Sequence, residues 1–397
     1  MRTHLIRAAL PVLVALALAP AASRVDAQGK GVIKIATQSP LSGGQAALGE
    51  GIKLGAQLAI EKFKGNLEKT GFKIDLVPYD DQAKPDVGVS NAKNIIADRD
   101  ILGVIGHLNS GVAIPSSEVY KEVNLAMISP ANTNPTVTDR GYKNIFRVCG
   151  RDDVQGVVGS EFAHGTLKAK SVYVVHDKTT YGQGVAEFFK ADAEKKGLKV
   201  LGFEGTEEKS NFDPIITPIR AKNPDLIYFG GIYEQAAPFF KQAREKGVKS
   251  KFMGPDGMDS SDLTKIAGKA VVGMFYTSVA GPVTVYPQAK RFAEEYKRKF
   301  GKNPEPFAAQ AYDSTAILIK AIEAVAKGGQ APSRDAVSAA IRDVRHTGVT
   351  GTVAFDGKGD PRTALYFVLQ VASDDPEKWG NNKEVKRLTI AAPALKK

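Results

Sequence analysis

One cysteine, Cys149, stands in a chain of 397 residues. That excludes an intramolecular disulfide and any cysteine-based zinc cage. The five histidines, His4, His107, His164, His176 and His346, show no metal-ligand spacing. A Gly-x-Ser-x-Gly nucleophile elbow is absent, since Leu108 stands two residues before Ser110. There is no phosphate-binding P-loop, and Gly182-Gln183-Gly184 lacks the third glycine of a dinucleotide fingerprint. Asp356 to Asp360 opens like a calcium loop, but Phe367 occupies the place of the closing glutamate. Asp80-Asp81 follows a strand-like run and reads as caps and turns. Cys149 has no obvious activating partner and reads as a small packing residue. His107 and His176 each end an apolar strand and read as structural histidines. With no metal, cofactor or catalytic motif in view, the sequence points away from an enzyme.

The composition is 43% hydrophobic and 24% charged, ordinary for a water-soluble globular chain. This excludes a disordered, collagen-like or polytopic membrane protein. The first residues read as an export signal. Arg2 and Arg7 form a positive start, and Ala8 to Ala22 is apolar, interrupted by Pro11 and Pro20. That stretch is shorter than the ~20 residues of a membrane span and ends in small residues. Val25-Asp26-Ala27 places a cleavage site before Gln28, with an alternative after Ala22. No cysteine follows, so a lipid anchor is not expected. The formal net charge is +11, with no basic block beyond Lys297-Arg298-Lys299. An exported chain rarely meets nucleic acid, and the charge reads as a solvated surface.

Strand-like and helix-like segments alternate along the chain. Val32 to Ala36, Lys73 to Tyr79, Ile101 to Gly106 and Leu125 to Ser129 read as strands, with helical faces between them. After Gly150 the rhythm restarts, with strands at Ser171 to His176, Val200 to Glu204, Asp225 to Phe229, Lys251 to Met253 and Val271 to Tyr276. Ile101 to Gly106 is continuously apolar, the type buried in a parallel sheet. Two runs of βα units predict an α/β fold of two doubly wound domains with parallel sheets. Further on come three helices, from Pro287, from Ala309 to Lys327 and from Ser333 to Val344. Gly351 to Asp356 and Ala364 to Val371 flank Gly357-Lys358-Gly359-Asp360, a hairpin signal. Asp374 to Lys397 is polar and is expected to run over the surface.

Polar residues gather at strand carboxyl ends, where open α/β sheets bind ligands. Ser110 follows one strand, Ser129-Pro130-Ala131-Asn132-Thr133 another, and Asp256 a third; Tyr181 lies past Val172 to His176. Hydroxyls with backbone N–H groups suit a carboxylate, and a carboxylate with a carbonyl suits an ammonium. Spacing alone leaves helix capping open for each of them.

Taken in order, several segments resemble the periplasmic binding proteins for leucine, isoleucine and valine, the amino-acid receptors of ABC transporters. They are Ser39-Pro40-Leu41-Ser42-Gly43, Tyr79-Asp80-Asp81, Ile105 to Ser110, Ile128 to Ala131, Val175-His176-Asp177-Lys178 with Tyr181-Gly182, Gly230-Gly231 and Phe252 to Pro255. The resemblance spans nearly all of the chain after the signal. It implies two Rossmann-like lobes joined by a three-strand hinge, the type I periplasmic binding fold. The expected division is a signal peptide at 1–27, lobe one at 29–150 plus 281–357, and lobe two at 151–280 plus 358–397. The hinge is expected near 148–151, 279–283 and 358–365.

The resemblance also implies roles. Ser110 and Thr133 match the hydroxyls that hold a ligand carboxylate. The Ala131 carbonyl and the Thr133 hydroxyl match ammonium acceptors, and Asp256 matches an acidic ammonium partner that is usually Glu. Tyr181 matches an aromatic wall from lobe two, and Phe307 one from lobe one. Leu48 and Ile232 stand where the family often has aromatics, so the side-chain pocket departs from the pattern. The expected function is an amino-acid receptor, most simply for a branched-chain or aliphatic ligand. It would be monomeric and periplasmic, bind by hinge closure and deliver to a permease driven by an ATPase. Two alternatives stay open: an amine-free acid, such as an aromatic carboxylate, or a small amide in the same fold; and an exported hydrolase using Ser110 with His107 or Asp256.

Overall fold

A computed structural model describes residues 30–394 except 287, 329 and 330. The expected signal peptide lies outside the described residues. The first sheet grows from β1 (Gly31–Ser39), α1 (Ala46–Glu68), β2 (Phe72–Asp80), α2 (Pro85–Ala97), β3 (Ile101–Gly106), α3 (Ser110–Glu122), β4 (Ala126–Ser129), the short α4 (Thr136–Asp139) and β5 (Ile145–Arg147). Its order is β2-β1-β3-β4-β5 and every pairing is parallel. All six residues of β3 are buried, as a strand covered by helices on both faces requires.

The second series runs α5 (Asp152–Gly165), β6 (Ser171–His176), α6 (Thr180–Lys195), β7 (Lys199–Gly205), α7 (Asp213–Lys222), β8 (Leu226–Gly230), α8 (Tyr233–Glu245), β9 (Lys251–Gly254), α9 (Ser261–Ala267) and β10 (Phe275–Ser278). The chain then returns to the first sheet with α10 (Ala289–Phe300), α11 (Ala308–Lys327), α12 (Arg334–Asp343) and the small pair β11 (His346–Gly348) and β12 (Gly351–Val353). It ends in the second sheet with β13 (Thr363–Gln370) and β14 (Lys383–Ala391). That sheet has the order β14-β13-β10-β9-β8-β6-β7.

Local chemistry sets many boundaries. Pro85 begins α2, where a missing N–H costs nothing. The Thr179 hydroxyl caps α6 by accepting from the Gly182 N–H at 2.9 Å. Gly301 closes α10 with φ +73°. Helix α11 lies on α1 so closely that a Cβ on Gly55 would stand 2.1 Å from the Ala308 carbonyl oxygen.

Two expectations at the end of the chain are corrected. The predicted hairpin is confined to its turn: Phe355 pairs antiparallel with Pro361, with backbone bonds from the Asp356 N–H to Asp360 and from the Arg362 N–H to Ala354, but β12 pairs with β11, while β13 lies antiparallel between β10 and β14. Its turn chemistry is real, since the Asp356 carboxylate accepts from the N–H groups of Lys358, Gly359 and Asp360. The turn sits where the chain leaves one sheet for the other, so the flanking strands find different partners. The polar tail is not only a surface run, because Lys383–Ala391 is strand β14. It is an edge strand with much of its length exposed, and an edge tolerates the polar sequence that hides it from pattern reading.

The chain crosses between the sheets three times, after β5, after β10 and before β13. Buried Asp360 stands at this crossing. One of its oxygens accepts from Arg147 Nε at 2.7 Å and the Thr138 hydroxyl at 2.7 Å. The other accepts from Arg151 Nη1 at 2.8 Å and lies 3.1 Å from Lys358 Nζ. Burial alone would raise the Asp360 carboxyl, but Arg147 and Arg151 hold it well below the ordinary carboxylate range.

Asp360→Ala leaves the fully buried Arg147 guanidinium without its counter-ion, so it is expected to cost about 3–5 kcal/mol of stability. Urea unfolding of the variant would read this, and a loss under about 1 kcal/mol would contradict the account. A carboxyl depressed in the folded state stabilises above the unfolded carboxylate range, about pH 4, and that stability is lost as pH falls. The acid-unfolding limb of wild type should therefore flatten in the variant.

Candidate functional site

In the first sheet the strand order reverses between β1 and β3, and in the parallel part of the second between β6 and β8. Loops at the carboxyl ends of such strands face a crevice. They carry Ser110, Ala131 and Thr133 from one lobe, and Tyr181, Ile232 and Asp256 from the other.

Asn132 organises the first group. Its side-chain oxygen accepts from the His107 N–H at 2.9 Å and the Ser129 hydroxyl at 2.7 Å, and its Nδ2 donates to the Leu108 carbonyl at 2.9 Å. The loops after β3 and β4 are thereby tied together. Ser110, buried at the start of α3, accepts from the Asn134 N–H at 3.4 Å. Arg147 Nη1 donates to the carbonyls of Asn132 and Asn134 at 2.9 and 3.0 Å, bracketing Thr133 from both sides. The buried Thr133 hydroxyl has no hydrogen-bond partner among the described residues. Ala131, between Ser129 and Asn132, is also buried.

The second group is a buried acidic cluster. The Tyr181 hydroxyl donates to Asp256 at 2.5 Å and accepts from the Gly257 N–H at 2.8 Å. Burial pushes the Asp256 carboxyl up to about 6, against the hydrogen bond from Tyr181 that favours its ionised form. The Asp256 N–H donates to Gln155 Oε1 at 3.4 Å.

Sequence reasoning missed Asp152. It opens α5, and its N–H donates to the Thr133 carbonyl at 2.9 Å, so it joins the two groups. The residue is fully buried, and neither carboxylate oxygen has a partner among the described residues. Burial raises its carboxyl and the charge of Asp256 raises it further, while the adjacent Thr133 hydroxyl, outside good hydrogen-bond geometry, and the Arg147 charge lower it. Gln155 Nε2 and the Tyr228 hydroxyl are likewise buried without a partner. In the sequence Arg151-Asp152-Asp153, Asp152 looks like an ordinary acidic helix start, and only the tertiary fold distinguishes it.

The apolar candidates are buried as well. Leu48 lies on α1, Ile232 immediately precedes α8, and Phe307 precedes α11 with φ +71°. Together with Leu108, Ala131 and Tyr181 they belong to one contiguous apolar cluster. The histidine of the hydrolase alternative turns elsewhere. His107 Nδ1 lies 3.4 Å from Asp81 and Nε2 lies 3.4 Å from the Tyr120 hydroxyl, so both ring nitrogens are engaged away from Ser110. Burial raises the Cys149 thiol, which suits packing rather than nucleophilic chemistry.

Side chains bridge the lobes around the cleft. Asn134 Nδ2 donates to the Thr180 carbonyl at 3.1 Å, Gln45 Nε2 to Glu234 at 3.2 Å, and the Ser261 hydroxyl to Glu305 at 2.7 Å.

Comparison with known proteins agrees with this architecture. Residues 32–376 match the profile of a periplasmic binding protein family. An amino acid binding protein of Pseudomonas aeruginosa is 36% identical over 341 residues, covering 85% of this chain and 90% of that one. A leucine-, isoleucine-, valine-, threonine- and alanine-binding protein of the same organism is 33% identical over 346 residues, 86% of this chain and 90% of the relative. The crystal structure of a leucine binding protein from Thermotoga maritima superposes with a TM-score of 0.81 at 29% identity, covering 91% of this chain and 99% of that chain. With its two α/β lobes and its polar residues gathered where the strand ends meet, the chain belongs to the periplasmic binding protein family.

Proposed function

We propose that this protein is the receptor of an ABC importer and captures a free α-amino acid between its lobes. The observation that carries the reading is the unsatisfied polar lining of the cleft. The Thr133 hydroxyl, both oxygens of Asp152 and the Asp256 carboxylate are buried, and the first three have no partner among the described residues. Buried polar groups left unpaired cost about 1–3 kcal/mol each. An ammonium supplies three N–H donors and a positive charge to two carboxylates, which answers that cost directly. The Ala131 carbonyl is a further acceptor. Ser110, the Thr133 hydroxyl and backbone N–H groups hold the ligand carboxylate. Leu48, Ile232, Phe307 and the ring of Tyr181 form the side-chain wall, and an aliphatic ligand suits Leu48 and Ile232. Relatives described as amino acid or leucine binding proteins support the same head chemistry.

No bond is made or broken in this reading. Lobe one binds the ligand first beside Asp152 at the crossing, and closure brings Tyr181 and Asp256 onto its ammonium. The ligand favours the closed state because only that state offers both sets of contacts. An amine-free acid would leave two carboxylates facing each other and a third beside them, so the acidic cluster argues against it. Residues 1–27 would direct export to the periplasm. We place lobe one at 29–150 plus 281–357 and lobe two at 151–280 plus 358–397, with the monomer delivering ligand to a membrane permease and its ATPase.

A thermal-shift panel of the twenty amino acids, small amides and aromatic acids tests the ligand class. Leucine, isoleucine or valine at a hundredfold excess over Kd should stabilise by about 2.7 kcal/mol. A response to aromatic acids alone would overturn the head assignment.

Substituting the head residues tests their roles. Asp256→Ala and Asp152→Asn are each expected to weaken amino-acid binding more than tenfold by calorimetry, roughly 1.4 kcal/mol or more. Unchanged affinity in either variant would remove that residue from the site.

Binding should also depend on pH. A carboxyl raised in the ligand-free fold, with Asp256 at about 6, holds a proton that an incoming ammonium must displace. Its contribution to stability is present below the unfolded range and is lost as pH rises through about 6, which leaves charge for the ligand to neutralise. Affinity is therefore expected to fall as pH drops below about 6, approaching tenfold per unit for one displaced proton. Titrations in buffers of different ionisation enthalpy would count that proton, and a flat affinity between about pH 5 and pH 8 would refute the coupling.

A further inference from the structure

Among the side-chain contacts that bridge the lobes around the cleft, the one at Glu305 is a carboxylate held by two serine hydroxyls. Glu305 belongs to the segment between α10 and α11, on the side of the first sheet. Its carboxylate accepts from the Ser261 hydroxyl at 2.7 Å and faces the Ser260 hydroxyl at 3.4 Å, both on the side of the second sheet. Ser260 is fully buried, while Glu305 and Ser261 are partly so. The stem of Glu305 is backed by α1, where a Cβ on Gly51 would stand 3.1 Å from the Glu305 Cβ. The neighbouring cation, Lys302, is engaged elsewhere, with Glu50. The charge-assisted partners of the carboxylate thus come from Ser260 and Ser261 of the opposite lobe, through both hydroxyls and the Ser261 backbone.

Its position in the chain matters. Two residues later Phe307 takes a left-handed backbone conformation and is buried at the proposed side-chain wall. On the other side, Ser260 and Ser261 follow the loop that carries Asp256 and Met258. One hydrogen-bonded clasp thus couples the Phe307 segment of lobe one to the Asp256 loop of lobe two. Its far side opens on a cavity of about 470 Å³ lined by Pro282, Pro304, Trp379 and Asn381, so water can replace the clasp when the lobes part.

We propose that Glu305 is a positioning residue for ligand capture: its clasp with Ser261 and Ser260 holds the lobes closed without touching the ligand and sets how long the ligand stays. The ligand part of this rests on the cleft being the binding site, as proposed above; the closure part does not. In a two-state opening, a contact made only in the closed form lowers the open population and slows release, while entry into the open form is unchanged. A charge-assisted hydrogen bond of this kind is worth roughly tenfold in such an equilibrium.

The test uses the full mature chain as wild type, Glu305→Ala, Glu305→Gln and Ser261→Ala. Small-angle scattering without ligand reads closure directly. A larger radius of gyration is expected for Glu305→Ala and Ser261→Ala, and a value near wild type for Glu305→Gln, whose amide oxygen still accepts from Ser261. Stopped-flow binding of whichever amino acid the thermal panel identifies should show release about tenfold faster in Glu305→Ala, with association unchanged. A merely structural role would lower the melting temperature without moving the radius or the release rate. Should Glu305→Ala fail to fold, Ser261→Ala breaks the same bond from the other lobe. Identical scattering for wild type and the folded variants would overturn the proposal. Failure of every amino acid to bind would refute the assigned ligand and leave the scattering comparison to decide the clasp.

Discussion

The Asp360 carboxylate is the point on which the two lobes and the cleft both depend. It is fully buried and it meets Arg147, Arg151, Lys358 and Thr138. A lone buried charge of this kind would be prohibitively unfavourable, and pairing makes it tolerable only because each oxygen is fully used. Gly359 beside it has φ +98°, and a Cβ there would stand 2.2 Å from the Ile145 carbonyl oxygen. The chain must therefore press against the end of β5 to bring Asp360 in. That geometry anchors the third crossing between the lobes at the same place as the first.

The same hub reaches the cleft through Arg147. One guanidinium nitrogen of that residue fixes the carbonyls on either side of Thr133. The Thr133 carbonyl in turn accepts from Asp152, the first residue of α5 in the other lobe. From Asp360 to Asp152 the path is a run of hydrogen bonds, all between buried groups. Such a network resists displacement because breaking one member leaves others unsatisfied. In the proposed head site, the remaining unpaired atoms, the Thr133 hydroxyl and the Asp152 carboxylate, belong to the lining. A binding site built this way is pre-organised, so little ordering cost falls on the ligand.

The βα rhythm, the parallel sheets and the strand-end positions of Ser110, Thr133, Tyr181 and Asp256 were legible because each rests on local pattern. A continuous apolar run such as Ile101 to Gly106 announces a buried strand, and the residues after it announce a crevice. What stayed hidden depends on distance along the chain. Arg147 and Asp360 are separated by 213 positions, and no periodicity links them. Asp152 reads as a helix-capping acid because that is what most such residues are, and burial between two lobes is invisible locally. The hairpin at Gly357 to Asp360 is cut short for the same reason. Its turn residues do make a turn, but the register of β13 is set by β10 and β14, which lie elsewhere in the sequence. Strand β14 escaped because an edge strand can be polar on its exposed positions.

These features also divide the work of binding between affinity and motion. In the proposed reading, a head site that is partly unsatisfied favours a ligand but cannot by itself decide whether the lobes are open. In the proposed opening, the contacts that part lie at the rim: Asn134 with Thr180, Gln45 with Glu234, and Glu305 with Ser261. Each is a single hydrogen bond, so together they bias closure by an amount that one bound ligand can still exceed. A stronger rim would trap the ligand and defeat delivery. A weaker one would leave the open form dominant and lower the apparent affinity by the closed fraction lost. The hub at Asp360 removes the alternative of moving in some other direction, since any motion that shears the crossing exposes buried arginine. Hinge rotation with rim contacts made and broken is then the low-cost motion left to the molecule.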